Sequence, residues 1–157
     1  MSLITVPKKA YVAAVSAEGE TELNAFDNCL IKAGLPQVSL IKLTSILPRD
    51  IEITEEPPQG IPLGANLPAI YDYVVSSTRG EVIAAAMAIG WTDKGPTLVA
   101  EYSARNISRS EAEERALLRL KEMAKARKIT ITKYKVYSAE HKVEKCGCAL
   151  VIVAEIE

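Results

Sequence analysis

Histidine is almost missing from this sequence: His141 is the only one in 157 residues. A lone histidine near a strand end is more often a hydrogen-bonded surface residue than a base, so catalysis built on imidazole has little support. Cysteine is scarce as well. Cys29, Cys146 and Cys148 are odd in number, and the C-x-C pair has neither a second ligand pair nor a histidine cluster to complete a tetrahedral metal site. Buried free thiols are the reading that remains, in place of a disulfide framework. Charge of one sign is missing too: Lys and Arg total 19 against 20 Asp and Glu, a formal net charge of -1. Without a basic patch there is no footprint for nucleic acid or for an anionic membrane surface. No apolar run has the length of a membrane span, and "MSLITVPKK" lacks the charged-then-apolar layout of a secretory signal, so a cytoplasmic protein is expected. The glycines form no G-x-G-x-x-G and no P-loop, which leaves nucleotide binding without a motif.

Apolar residues make up 48% of the chain, enough for one continuous core in a single domain over 1–157. "KAYVAAVSAE" reads as a buried strand closed at Gly19. A helix follows in "ETELNAFDNCLIKAG", with Leu23, Phe26, Leu30 and Ile31 as its apolar stripe and Gly34 and Pro36 as its stop. "QVSLIKLTSIL" reads as one strand ending at Pro48. Five of the eight prolines lie from Pro48 to Pro68, which predicts a long ordered loop or arm. "YDYVVSS" and "EVIAAAMAIGW" read as paired strands joined around Thr78 to Gly80, and "TLVAEYSA" as a third after "DKGP". A long helix is predicted in "SRSEAEERALLRLKEMAKARK", capped by Ser110 with Glu113 and striped by Ala112, Ala116, Leu117, Leu120, Met123 and Ala124. "ITITKYKVYS" and "CALVIVAEIE" close the chain as strands. The order implies an α/β (α+β) fold of two sheet halves, each covered by a helix.

Three features invite a chemical reading. Thr44 and Ser45 place two hydroxyls side by side among positions otherwise built for burial. Glu101 sits in "LVAEYSA", where a carboxylate must be paired, protonated or used. Asp27 lies between Phe26 and Cys29, where taken singly it fits the polar face of its helix. The charged stripe from Arg109 to Lys128 reads as the wet face of the second helix.

Taken together and in order, "AFDNCLIKAG", "SLIKLTSILP", "GANLPAIY", "LVAEYSA" and "EHKVEKCGCA" resemble the pyruvoyl-dependent arginine decarboxylases over most of the chain. The resemblance implies a four-layer αββα sandwich that forms trimers, with pairing into hexamers left open. It implies self-cleavage between Thr44 and Ser45, giving a β chain of 1–44 and an α chain of 45–157. In that reaction the Ser45 hydroxyl attacks the Thr44 carbonyl to give an ester, β-elimination leaves dehydroalanine, and hydrolysis leaves a pyruvoyl group on residue 45. That group would take the α-amine of arginine and serve as electron sink as CO2 leaves, yielding agmatine without metal or pyridoxal phosphate. Glu101 matches the family's proton donor, and its neighbours Leu98, Val99 and Ala100 supply desolvation that raises a carboxyl pKa. Asp27 matches the carboxylate that receives the guanidinium. Leu30, Pro36, Val38 and Ile46 fall where family members line a pocket built partly by a neighbouring subunit. Ser39 stands where Asn assists self-cleavage, and Thr44 stands where Ser is more usual. Two other readings stay open: a pyruvoyl enzyme for another amino acid, and an unprocessed trimer that only binds a cationic metabolite.

Overall fold

Strands buried on both faces read as unbroken apolar runs, and two such runs organise this chain. The computed structural model describes residues 4–157; the first three residues of the stretch read for a secretory signal lie outside the described residues. The first run is β6 (Val82–Thr92), central in a four-stranded sheet ordered β3-β7-β6-β8. The second is β9 (Cys146–Glu155), central in a five-stranded sheet ordered β2-β5-β9-β1-β4. Their partners are β1 (Lys9–Gly19), β2 (Ser39–Lys42), β3 (Ile46–Leu47), β4 (Glu52–Thr54), β5 (Asn66–Ser76), β7 (Thr97–Arg105) and β8 (Ile131–Lys142). The four-stranded sheet is antiparallel throughout, whereas the five-stranded sheet gains parallel pairs at its two edges, β2 with β5 and β4 with β1.

Three buried clusters fix the layer order. Val12, Ile70, Met87, Ile89, Val99 and Val151 fill the space between the sheets. Tyr11, Ala25, Cys29, Leu30, Leu150 and Ile152 join α1 (Glu22–Lys32) to the outer face of the five-stranded sheet. Ala84, Ala86, Ala88, Ala112, Ala116 and Leu120 join α2 (Arg109–Arg127) to the outer face of the other. The result is helix, sheet, sheet, helix, the αββα sandwich that the resemblance implied. Alanines on β6 and α2 allow close approach, and Gly90 allows more: a Cβ there would lie 2.9 Å from Leu120 Cδ2.

α1 ends as its sequence predicts. Gly34 takes φ 82°, its amide donates to Ile31 and the Leu35 amide donates to Leu30, closing the last carbonyls. The apolar stripe is rotated from the expected one, however. Ala25, Cys29 and Leu30 are buried, whereas Leu23 and Ile31 are exposed. The small residues face the sheet because the helix packs close against it.

Other expectations are corrected. The cap of α2 is Ser108, whose side chain accepts from the Glu111 amide, so the capping pair lies two residues before Ser110 and Glu113. The proline-rich segment holds a short strand after all, β4, in the proline-free stretch between Pro48 and Pro57, and β5 begins within it at Asn66 and takes in Pro68. "YDYVVSS" and "EVIAAAMAIGW" are not a hairpin: β5 and β6 belong to different sheets, and the turn between them carries the chain across the sandwich. The segment "QVSLIKLTSIL" is likewise split, with β2 in one sheet and β3 in the other. Alternation of apolar residues fixes which face a side chain takes but not which sheet a strand joins.

The three cysteines are free and buried. His141 is hydrogen-bonded near the surface, its Nε2 lying 2.5 Å from a carboxylate oxygen of Glu18. No helix among the described residues is long and apolar enough to cross a membrane.

Candidate active site

The split of the second strand places Thr44 and Ser45 where the chain changes sheets. The Leu43 amide donates to Ala69 of the five-stranded sheet at 2.8 Å, and the Ser45 carbonyl accepts from the Val99 amide of the other at 2.9 Å. Packed sheets lie about 10 Å apart and an extended residue advances about 3.3 Å, so the three steps from Leu43 to Ile46 span that gap. The Thr44–Ser45 peptide is therefore the rung between two anchored ends. Thr44 is exposed and Ser45 is half-buried at a bend.

Ser45 lines an open pocket of about 470 Å³ with Ala100, Glu101, Arg119, Glu122, Met123 and Arg127 among its other residues. Register accounts for the meeting of Ser45 and Glu101, since Ile46 pairs with Leu98 on β7 and Glu101 follows three residues later. Glu101 Oε2 is buried and has no hydrogen-bond partner among the described residues. Burial pushes the Glu101 carboxyl up to about 7; the Asp72 carboxylate adds to the rise, while Lys42 and Arg119 oppose it. Near pH 7 a substantial share of this group therefore carries a transferable proton.

Arg119 belongs in the sequence to the charged stripe of the second helix, which by itself signals only a wet face. Its Nη1 donates to the Glu101 carbonyl at 2.7 Å, and its guanidinium lies 4.8 Å from the centre of the Tyr102 ring. Arg119, Glu122 and Arg127 are thus pocket residues as well as solvated ones. No periodicity signals this, because the pocket forms only where α2, β7 and the Ser45 crossover come together.

The remaining candidates stand elsewhere within one chain. Asp27 is exposed on α1 and lines a separate pocket with Thr21, Leu23, Asn24 and Phe26. Leu30 is buried under α1, and Val38 packs against the same cluster. Pro36 and Ile46 are exposed, Ile46 next to Ser45. Ser39 opens β2, exposed, with its amide donating to Ala65. None of these six residues lines the pocket of Ser45 and Glu101.

A buried carboxyl holding its proton beside a hydroxyl-bearing sheet crossover, in an αββα sandwich, suits an enzyme that breaks a bond and then returns a proton. The comparisons agree in class, which is that of the carboxy-lyases. The family model described as "Pyruvoyl-dependent arginine decarboxylase (PvlArgDC)" matches residues 9–157. Proteins named "Pyruvoyl-dependent arginine decarboxylase" are similar along nearly their whole length. That of Pyrococcus abyssi is 40% identical over 148 residues, covering 94% of this chain and 93% of its own. That of Pyrococcus horikoshii is 41% identical over 152 residues, covering 96% and 95%. That of Methanocaldococcus jannaschii is 38% identical over 155 residues, covering 95% and 90%. The chain belongs to the pyruvoyl-dependent arginine decarboxylase family.

The residues present fit the pyruvoyl group that this family name carries. Ser45 and Glu101 line one pocket, and Glu101 Oε2 is buried without a hydrogen-bond partner among the described residues.

Proposed function

We propose that this chain cleaves itself before Ser45 and decarboxylates L-arginine to agmatine and CO2, in the cytoplasm. The observation that carries this reading is the shared pocket of Ser45 and the proton-bearing Glu101. The names of the relatives supply the substrate.

Self-cleavage begins with attack of Ser45 Oγ on the Thr44 carbonyl carbon, which moves the acyl group from nitrogen to oxygen. Elimination then releases residues 1–44 with a free carboxylate, and one water replaces the nitrogen of residue 45 as ammonia. Anchoring on both sides, at Leu43 and at Ser45 itself, supports this reading: it limits the motion of the peptide and keeps the hydroxyl near the carbonyl behind it. Ser39 is assigned an assisting role in this step, in place of Asn.

The pyruvoyl carbonyl, once present, supplies the electrophile for the substrate amine and the sink for the electron pair that CO2 leaves behind. Glu101 then delivers its proton to the carbon that lost CO2, a proton that desolvation of the carboxyl helps it to retain. Arg119 holds the Glu101 backbone in place through the carbonyl contact.

Asp27 receives the guanidinium through two parallel charge-assisted hydrogen bonds. Because Asp27 lines a pocket on α1, away from Ser45, the site needs α1 of a neighbouring copy. A trimer with its sites between protomers meets that need. The exposed Leu23 and Ile31 offer the apolar surface for such packing, and Leu30, Pro36, Val38 and Ile46 are assigned to the aliphatic stem of the substrate.

A denaturing mass spectrum together with an assay of agmatine from arginine tests the proposal. Two fragments divided before residue 45 and release of agmatine are expected. A single species near 17.0 kDa that persists after prolonged warming would remove the enzymatic reading in favour of a binding protein. Two fragments without arginine turnover would redirect it to another amino acid.

A further inference from the structure

Asp72 is an aspartate in a strand whose neighbours on the same face belong to the core. Ile70 and Val74 lie in the cluster between the sheets, and alternation along β5 puts Asp72, midway between them, on that face. On β7 the same rule places Glu101 on the face of Val99, and its cross-strand partner Met87 is fully buried in that cluster. One rung further, Ser103 Oγ donates to the Tyr73 carbonyl at 3.2 Å and ties the two strands across the gap. Asp72 and Glu101 are therefore carboxylates from opposite sheets that face the same space.

No cation forms a salt bridge with Asp72 among the described residues. Its Oδ1 accepts from the Tyr73 amide at 2.9 Å. Asp72 is half-buried, opposite another acid and without an ion pair among the described residues, a placement that packing alone does not call for. We propose that Asp72 is a positioning residue for the decarboxylation, its negative charge set across the sandwich from Glu101 so that Glu101 keeps its proton until the substrate carbon takes it. This rests on the assignment of Glu101 as proton donor.

The other charges around Glu101 act in known directions. Lys42, at the end of β2 with its Nζ 4.7 Å from the centre of the Tyr71 ring, favours the ionised form, as does Arg119 from α2. Glu122 and Arg127 line the pocket from α2 with opposite signs, and Met87 on β6 is uncharged. Burial supplies the larger part of the rise on Glu101, and Asp72 supplies the next. Asp72 thus opposes two cations that favour the ionised form of the acid.

The test is a titration of the Glu101 carboxyl by carbon NMR in the protein as purified, cleaved or not, with the signal assigned through Glu101→Gln. Asp72→Asn, which keeps shape and removes charge, is expected to lower the Glu101 midpoint by about one unit. The basic limb of kcat/KM should fall by the same amount. Lys42→Met is expected to raise the midpoint, so the sign of the effect is checked twice. Should Asp72→Asn fail to fold, Asp72→Ser gives the same reading. A midpoint that does not move when Asp72 loses its charge overturns the proposal, whether or not arginine is turned over. A midpoint that moves in a protein inactive on arginine leaves the pairing in place and removes the reaction, so the two failures are distinct.

Discussion

The carbonyl of Ser45 accepts a hydrogen bond from the amide of Val99 at 2.9 Å, and Val99 stands two residues before Glu101 on the same strand. One backbone bond thereby ties the sheet crossover to the strand that carries the acid. The proposed nucleophile and proton donor share a pocket because they share this attachment, although they lie 56 positions apart in the chain.

Removing the hydroxyl should separate cleavage from folding. Ser45→Ala is expected to give a single species near 17.0 kDa, whereas the native chain is expected to give fragments 1–44 and 45–157. Those fragments should co-elute under native conditions. β1, on the shorter fragment, lies between β4 and β9 of the longer one, and α1 packs over the same sheet. Size exclusion followed by denaturing mass spectrometry checks both parts.

Glu101→Gln should leave self-cleavage intact and lower arginine turnover by about 10²- to 10⁴-fold, the usual contribution of a positioned acid. In the native protein, activity that needs the protonated form should hold below about 7 and fall above it. Stability follows the same sign. A carboxyl raised from 4.5 to about 7 favours the folded state fully below 4.5, and this contribution is lost as pH rises through about 7. The melting temperature of Glu101→Gln relative to the native protein should therefore be higher at pH 8 than at pH 5, which thermal scans at both values would reveal.

Asp27 is exposed, so Asp27→Asn should hardly affect the melting temperature. Loss of a bidentate contact to guanidinium is expected to cost about 10- to 100-fold in kcat/KM for arginine, mostly through KM. Steady-state kinetics with arginine and with an uncharged analogue would distinguish a guanidinium contact from a general defect.

Mixing Ser45→Ala chains with Asp27→Ala chains tests whether each site draws on two copies. Neither variant alone should turn over arginine at the native rate. Refolded mixtures should regain a fraction of the activity, because some interfaces pair an intact Ser45 with an intact Asp27. An inactive mixture of well-folded oligomers would place both residues in a site within one chain.

The contact of Gly90 with Leu120 should be measurable as coupling. Gly90→Ala sets a Cβ 2.9 Å from a fully buried side chain and should destabilise by about 1–3 kcal/mol. Leu120→Ala should cost about 2–5 kcal/mol. Denaturant unfolding of the double variant should show less than the sum, since the truncated leucine leaves room for the new methyl.

Local chemistry was legible in the sequence by itself. The runs of β6 and β9, the Gly34 stop of α1, the stripe of α2 and the desolvated setting of Glu101 depend on neighbours a few residues away. Patterns of period two or 3.6 report such neighbours directly. The hydroxyl pair Thr44–Ser45 was visible for the same reason, as an interruption in an apolar alternation.

The choice of sheet for each strand was decided by tertiary structure alone. Alternation is identical whether a strand continues in its sheet or steps into the facing one, so the break after Lys42 and the parting of β5 from β6 left no local trace. That step put Ser45 beside Glu101, brought Arg119 to the pocket and set Asp72 opposite the acid, since side chains from two layers meet only once the layers have packed.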